Sequence, residues 1–323
     1  MRVLHVGKYF PPRPGGIENF TADLLAALTQ SGVDAAALVH EQAGTEAQTP
    51  WPRTHPSGFP IYTVPTYGQL LYAPVSPAFP VLLARAIEHF KPDILHFHFP
   101  NTSAMWALLL PAARRLPWVV HWHSDVVPSR IRPALRLAYG CYRPFEQAFL
   151  ARTTLVVATS PPYLASSEPL SRWRNKCEVI PLGLDPERVT VQSPAMLDWA
   201  SDIWCNGGLR LLSLGRLTYY KGIEVLLEAV APVTDVCLIL VGDGPLRSRL
   251  AAKANKLGLD DRVLMLGHRE TSEVNALLET CNVLCLPSIE RTEAFGLVLL
   301  EAMCRCKPVI ASDITGSGVR WVI

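Results

Sequence analysis

Four short stretches of this sequence carry residue types that could do chemistry. The first is Gly15-Gly16-Ile17-Glu18, just ahead of a helical pattern. Glycines there let backbone N–H groups approach an anion, and a helix N-terminus adds a favourable dipole. The dinucleotide spacing G-x-G-x-x-G is absent, and a Gly-Gly pair alone reads equally well as a turn. The second is a pair of histidine-rich segments, His96-Phe97-His98 and His121-Trp122-His123-Ser124-Asp125. Both follow apolar runs, so both fall at the carboxyl ends of strands, where open α/β sheets bind ligands. In a strand, residues two apart face one side. No cysteine or carboxylate cluster completes a ligand set, so no metal site is expected. His96 and His121 read as satisfied structural histidines, whereas His123, before Ser-Asp, reads as functional.

The third stretch is Gly215-Arg216-Leu217-Thr218-Tyr219-Tyr220-Lys221-Gly222, between a strand and a helix. It puts two cations at a strand's carboxyl end. A diphosphate leaving group needs cations there, because negative charge builds on it as its bond to a sugar breaks. The bland alternative is a solvated loop. The fourth is Glu293-Ala294-Phe295-Gly296-Leu297-Val298-Leu299-Leu300-Glu301. On a helix, glutamates eight apart share a face about 12 Å apart along the axis, enough to span a sugar and a ribose. Their bland alternative is a dipole-favoured Glu293 and an exposed Glu301.

What positions these residues is an alternation of apolar runs and helical patterns along 323 residues. Expected strands are Val3–Val6, Ala35–Val39, Ile61–Val64, Ile94–Phe97, Trp118–His121, Leu155–Ala158, Val179–Ile180, Leu209–Leu214, Val236–Val241, Val263–Leu266, Val283–Leu286 and Val309–Ala311. Expected helices include Phe20–Thr29, Val81–Phe90, Ile223–Val230, Leu246–Leu257 and Ser272–Cys281. Such alternation means parallel sheets covered by helices on both faces. Residues 1–184 read as one domain and 209–323 as a second. The Pro-containing stretch 185–208 reads as a linker without regular structure. Residues 41–60 read as a surface loop.

Composition narrows the partners. The apolar fraction of 49% supports a sizeable core. The net charge of +2 hides a basic first part, with 16 basic against 11 acidic residues in 1–184 and 14 against 17 in the remainder. No basic aromatic repeat or zinc-finger spacing is present, so nucleic acid is not an expected partner. The basic and aromatic residues of 130–152 (Arg130, Arg132, Arg136, Arg143 and Arg152, with Leu135, Leu137, Tyr139, Tyr142, Phe145 and Phe149) suggest a face for an anionic membrane. The alternative is a solvated face on a buried helix. No spanning segment or secretory signal is read, which favours a cytoplasmic location. The eight cysteines, several within apolar runs, read as buried free thiols.

Taken together and in this order, the four stretches resemble the retaining glycosyltransferases of family 4. The paired-glutamate element and Gly-Arg…Lys-Gly are the specific parts. The segments Tyr142-Arg-Pro-Phe-Glu-Gln, Ala158-Thr-Ser-Pro and Lys176-Cys-Glu-Val-Ile-Pro-Leu-Gly resemble a branch that builds bacterial cell-surface polysaccharides, often as mannosyltransferases. The resemblance implies a GT-B fold: two Rossmann-like parallel-sheet domains facing a cleft, the second holding most of the donor site. It implies that Arg216 and Lys221 neutralise the donor diphosphate and that Gly15 and Gly16 lie beside it. By the same resemblance, Glu301 holds the ribose, and Glu293, Phe295 and Gly296 contact the donor sugar. His123 would sit near the transferring sugar. The donor is a nucleotide sugar and the acceptor a glycan or lipid-linked glycan. No cofactor and no divalent metal are expected, since no Asp-x-Asp appears. Two departures stand out. Cys306 occupies a position where the family has a glycine cap. The chain also ends at Ile323, several dozen residues before the family's usual end, which suggests a truncated product. Two other readings share these residues: a sugar-nucleotide epimerase, which would turn over without acceptor, and a remnant that binds donor without turnover.

Overall fold

The computed structural model describes residues 1–41, 51–70, 73–126, 133–190, 193–205 and 208–323; the side chains of 133–135 are not described. The chain divides into two compact units, Met1–Leu182 and Gly183–Ile323.

The first unit is built on eight strands: β1 (Arg2–Val6), β2 (Asp34–His40), β3 (Arg53–Thr54) and β4 (Pro60–Val64), then, past a small hairpin of β5 (Gln69–Leu70) and β6 (Ala73–Pro74), β7 (Ile94–Phe99), β8 (Trp118–Trp122), β9 (Leu155–Ala158) and β10 (Cys177–Val179). Their order is β10-β9-β8-β7-β1-β2-β4-β3, parallel except where β3 meets β4. The central strands are buried on both faces, so they read as unbroken apolar runs. The sheet reverses direction at β1, between β7 and β2. Ligands gather at such switch points in open α/β sheets. The helix Gly16–Gln30 packs Leu25 against Ala35, Ala37 and Val39 of β2.

The second unit has five parallel strands: β11 (Leu209–Leu214), β12 (Val236–Val241), β13 (Val263–Gly267), β14 (Val283–Leu286) and β15 (Val309–Ala311), in the order β13-β12-β11-β14-β15. One face is covered by Ile223–Val230 and Arg247–Lys256 through Leu226, Leu227 and Leu250. The other is covered by Thr271–Thr280 and Leu297–Met303 through Leu277 and Leu299.

Two sequence expectations fail here. The stretch read as an irregular linker, 185–208, contains a helix, Pro194–Asp202, with Pro194 as its first residue. A proline at that position loses no helical hydrogen bond. Ala200 and the following Trp204 are buried in the second unit's core with Leu212, Ile239 and Leu284. The stretch after residue 130, read either as a membrane face or as a solvated face on a buried helix, forms the helix Pro133–Arg152, with Pro133 at its start and Pro144 inside it. The cysteines are not uniformly buried thiols. Cys205 and Cys237 form a disulfide, and Cys141, Cys304 and Cys306 are exposed. The cysteine from the core strand β12 meets the one that follows Trp204, so the bond ties the added helix to the sheet.

Cys306 has a left-handed backbone, φ 54°. Its N–H bonds to the Met303 carbonyl at 2.9 Å, and the Lys307 N–H to that of Ala302 at 3.1 Å, closing the helix Leu297–Met303. A side chain at such a cap is strained where glycine is not. Cys306→Gly is therefore expected to stabilise the protein by about 1 kcal/mol. Thermal denaturation checks this: a melting temperature equal to or below that of the parent would refute the strain.

Candidate functional site

In the second unit the site grows from the carboxyl ends of β11 and β14, neighbours in the sheet. After β11 the chain turns through Gly215 to a short 3-10 turn at Tyr219–Lys221, and Gly222 starts the next helix. Gly215 has φ 143°, and a Cβ on it would lie 3.1 Å from the Lys221 Cε. The lysine chain therefore runs across a surface that only glycine leaves open. Lys221 Nζ donates to Glu293 Oε2 at 2.5 Å, and Ser288 Oγ donates to the same oxygen at 2.9 Å. Ser288 is fully buried just past β14. Burial, the largest single effect, pulls the Lys221 pKa down, but the Glu293 carboxylate and the Tyr220 phenol together outweigh it and the net shift is upward. Lys221 therefore stays charged at neutral pH. Arg216 is exposed, and its guanidinium has no hydrogen-bond or ion-pair partner among the described residues. It lies close enough for its charge to act against protonation of Lys221. A paired cation and an open one thus sit together at a strand end.

The two glutamates do not share a helix. Gly296 has φ 81° and caps a helix that begins only at Leu297. The expected helix from 293 is cut there, because a left-handed residue cannot continue a right-handed turn. Glu293 lies in the preceding loop, held by Lys221 and Ser288 and by Ser317 Oγ, which donates to its backbone carbonyl. Glu301 lies on the helix, with Oε1 3.4 Å from both terminal nitrogens of Arg188. Phe295 is buried, and a Cβ on Gly296 would meet Leu286 Cδ2 at 2.8 Å. Sequence reasoning missed Arg188, Ser288 and Ser317. Of these, only Ser288 carried a signal: a polar residue two positions beyond an apolar strand.

In the first unit, Gly15 caps the helix Gly16–Gln30. Its φ of 166° is ordinary extended backbone, so conformation does not demand glycine. Nor does space: a Cβ there would meet the Glu18 carboxylate at 2.0 Å, the far end of a side chain that can swing aside, and one on Gly16 would meet nothing within 4 Å. The surface above Gly16 is open, as anion approach requires. His123 follows β8, and its N–H bonds to the Phe99 carbonyl at 3.1 Å. Asp125 anchors the turn beyond it. It accepts from Trp122 Nε1 at 2.8 Å and from Ser167 Oγ at 2.7 Å, and its N–H reaches Tyr163 Oη at 2.6 Å.

Around His123 the histidines are not separately satisfied. His5 of β1 pairs with His96 of β7, and His98 of β7 with His121 of β8. With His123 the five rings form one packed group, edged by Phe20. His96 and His121, expected to be satisfied, are not: His96 Nε2 and both ring nitrogens of His121 are buried without partners. Pairs of strands in register bring the rings together faster than backbone acceptors can be supplied. Sequence reasoning missed His5, which lies inside the first apolar strand.

Two Rossmann-like parallel-sheet units define a protein of the GT-B architecture, and three comparisons say which. The model described as "Glycosyl transferases group 1" matches residues 206–321, and that described as "Glycosyl transferase 4-like domain" matches residues 15–183. The chain is 31% identical to the O-antigen chain mannosyltransferase C of Escherichia coli, over 100% of this chain and 82% of that one. It is 32% identical to the D-rhamnosyltransferase WbpZ of Pseudomonas aeruginosa, over 100% of this chain and 80% of that one. Its fold matches the sucrose-phosphate synthase of Thermosynechococcus elongatus with a TM-score of 0.78, at 22% identity, over 99% of this chain and 83% of that one. The chain belongs to the family-4 glycosyltransferases and is a glycosyltransferase.

Proposed function

We propose that this enzyme transfers a hexose, mannose or a close relative, from a nucleotide sugar to a glycan or lipid-linked glycan during assembly of a cell-surface polysaccharide. The observation that carries the donor assignment is that the half-buried Lys221, paired with Glu293, and the exposed Arg216 both lie at the carboxyl end of β11. The two cations can share a diphosphate, and Glu293, with Ser288, holds the lysine in place until it binds. Glu301 takes the ribose, exchanging its contact with Arg188 for hydroxyls. Glu293 and the backbone at Phe295-Gly296 take sugar hydroxyls. Gly15 and Gly16 lie by the diphosphate and His123 by the sugar. The names of the two relatives, a mannosyltransferase of the O-antigen chain and a D-rhamnosyltransferase, support the sugar class and the polysaccharide setting.

The reaction retains anomeric configuration by front-face attack, with the leaving phosphate accepting the acceptor's proton. Cations at a strand end stabilise a leaving group; they do not supply a nucleophile. Neither a cofactor nor a divalent metal takes part, because the cations do that work. A panel of GDP- and UDP-sugars, read by mass spectrometry of the product and run with and without chelator, tests this. A GDP- or UDP-hexose is expected to give an extended acceptor at an undiminished rate in chelator. Turnover of free donor without acceptor would replace the reading with epimerisation. Activity lost in chelator and restored by magnesium would remove the metal-independent mechanism.

We also propose that the enzyme works at the cytoplasmic surface of an anionic membrane. Arg130 and Arg132 lie outside the described residues, and the rest of the expected face divides. Phe149 is buried against Phe97 and Trp118, Arg152 stacks 5.0 Å from Trp118 and donates to backbone carbonyls, and the Tyr142 hydroxyl is buried. Outward remain Arg136, Arg143, which pairs with Glu168, and the stripe Leu137, Cys141 and Phe145, four residues apart. Leu137 is 76% and Phe145 58% exposed. Among the described residues no helix is long and apolar enough to cross a membrane. Each basic group near an anionic surface adds about 1 kcal/mol. Flotation is expected with anionic vesicles at low salt and to be lost at high salt. Equal partitioning onto neutral and anionic vesicles, or none onto either, would defeat it.

A further inference from the structure

The histidine group of the first unit contains two direct ring-to-ring hydrogen bonds. His5 Nδ1 lies 3.1 Å from His98 Nε2, and His98 Nδ1 lies 3.0 Å from His123 Nε2. Burial lowers the pKa of all five histidines, and neighbouring rings add to it at all but His96; that of His123 falls to about 3. All are therefore neutral at neutral pH. A neutral imidazole carries one N–H and one lone pair, so a bond between two rings fixes both tautomers. The chain His5–His98–His123 then has only two self-consistent directions.

Thr21 favours one. Its single hydroxyl proton goes to the Ile17 carbonyl at 2.7 Å, so towards His98 Nδ1, at 3.5 Å, its oxygen is an acceptor only. Either direction leaves one buried N–H without a partner among the described residues, on His5 Nε2 or on His123 Nδ1. The Thr21 contact favours the proton on His98 Nδ1, where a bare lone pair would face the lone pairs of the hydroxyl oxygen. His98 Nδ1 then donates to His123 Nε2, while His98 Nε2 accepts from His5 Nδ1–H. The proton of His123 is left on Nδ1, an atom buried without a partner among the described residues, in a residue only 5% exposed. An orphaned donor of this kind is costly unless a ligand meets it.

We propose that His5 and His98 form an imidazole relay that holds His123 in its Nδ1–H tautomer, making it a neutral hydrogen-bond donor to an oxygen of the sugar being transferred. The ligand contact rests on the placement of His123 near the sugar given above; the relay itself does not. His123 is not a general base here, since its lone pair faces the His98 N–H. His5 and His98 are positioning residues that act through it.

Long-range proton–nitrogen correlation spectra of ¹⁵N-histidine-labelled enzyme read the tautomers directly. At pH 7 His123 is expected to show a protonated Nδ1 and a bare Nε2. The opposite tautomer, a doubly protonated ring, or nitrogen shifts of a metal-bound imidazole with stoichiometric zinc would each overturn the relay. In His98→Phe the His123 ring is expected to become a tautomer mixture, with kcat about tenfold lower and KM for the nucleotide sugar within twofold. In His98→Gln, whose amide N–H donates the same way, the tautomer and most of kcat are expected to return. A single unchanged tautomer in folded His98→Phe would overturn the proposal. If that variant does not fold, the parent spectrum decides. The ligand contact fails separately: His123→Ala with parental kcat would remove it, whatever the spectra show.

Discussion

Lys221→Ala is expected to lower kcat/KM by about two to three orders of magnitude, the scale of losing one preorganised charge on a developing anion. Arg216→Ala is expected to fall in the same range, but the two should part in stability. Arg216 is exposed and unpaired among the described residues, and removing such a charge changes folding little. Lys221 differs from the surface cation its sequence setting suggests. Its side chain is 13% exposed and its partner Glu293 12% exposed. Removing the lysine leaves a largely buried carboxylate with Ser288 as its side-chain donor, a loss of about 2 kcal/mol or more. Steady-state kinetics and thermal melts on the same samples separate the roles. Lys221→Ala should lose both activity and melting temperature. Adding Glu293→Gln should recover stability, because the buried charge is gone, while activity stays low. Parental turnover in Lys221→Ala or in Arg216→Ala would withdraw the diphosphate assignment.

How far the sequence reveals this site depends on which physical signal each residue carries. Strands buried on both faces announce themselves as apolar runs, and all twelve expected strands form, Leu209–Leu214 and Val236–Val241 with their expected bounds. Lys221 and Arg216 are legible because cations between glycines at a strand-to-helix turn have few structural uses. The glutamate pair is half legible. Eight-residue spacing suggests a helix, but Gly296 breaks it at φ 81°, and Leu286, ten positions earlier, packs 2.8 Å from where its Cβ would be. No local pattern reports that approach. His5 is illegible for a similar reason: its relation to His96 and His98 exists only through strand pairing. The helix Pro194–Asp202 escapes because proline reads as a breaker, although at a first helical position it is favoured.

The same long-range constraint makes Gly222 the position where one methyl group should do most damage. Gly222 has φ 64°, and a Cβ on it would lie 2.0 Å from the Pro287 carbonyl oxygen and 2.9 Å from Ile289 Cγ2. The clash is with backbone, so no side-chain rotation relieves it. Around it the two strand ends are pinned together by the Ile289 N–H, which bonds to the Tyr220 carbonyl at 2.8 Å. An alanine must push β14's end away from the Lys221 turn, separating Ser288 and Glu293 from the lysine they hold. Gly222→Ala is expected to cost about 3 kcal/mol or more, combining left-handed strain with backbone displacement. At this size that is a fall of roughly 6–12 °C in melting temperature. Gly258 supplies the control. It has nearly the same backbone, φ 66°, with nothing within 4 Å of its would-be Cβ. Gly258→Ala should therefore show the left-handed penalty alone, about 1 kcal/mol. Activity should follow the same split: Gly258→Ala close to parental, and Gly222→Ala impaired even below its melting transition, because Lys221 is displaced. If the two variants lose equal stability, the approach of Pro287 is not what fixes glycine at 222. If Gly222→Ala loses stability but keeps its turnover, the turn that carries Lys221 does not set the geometry of catalysis.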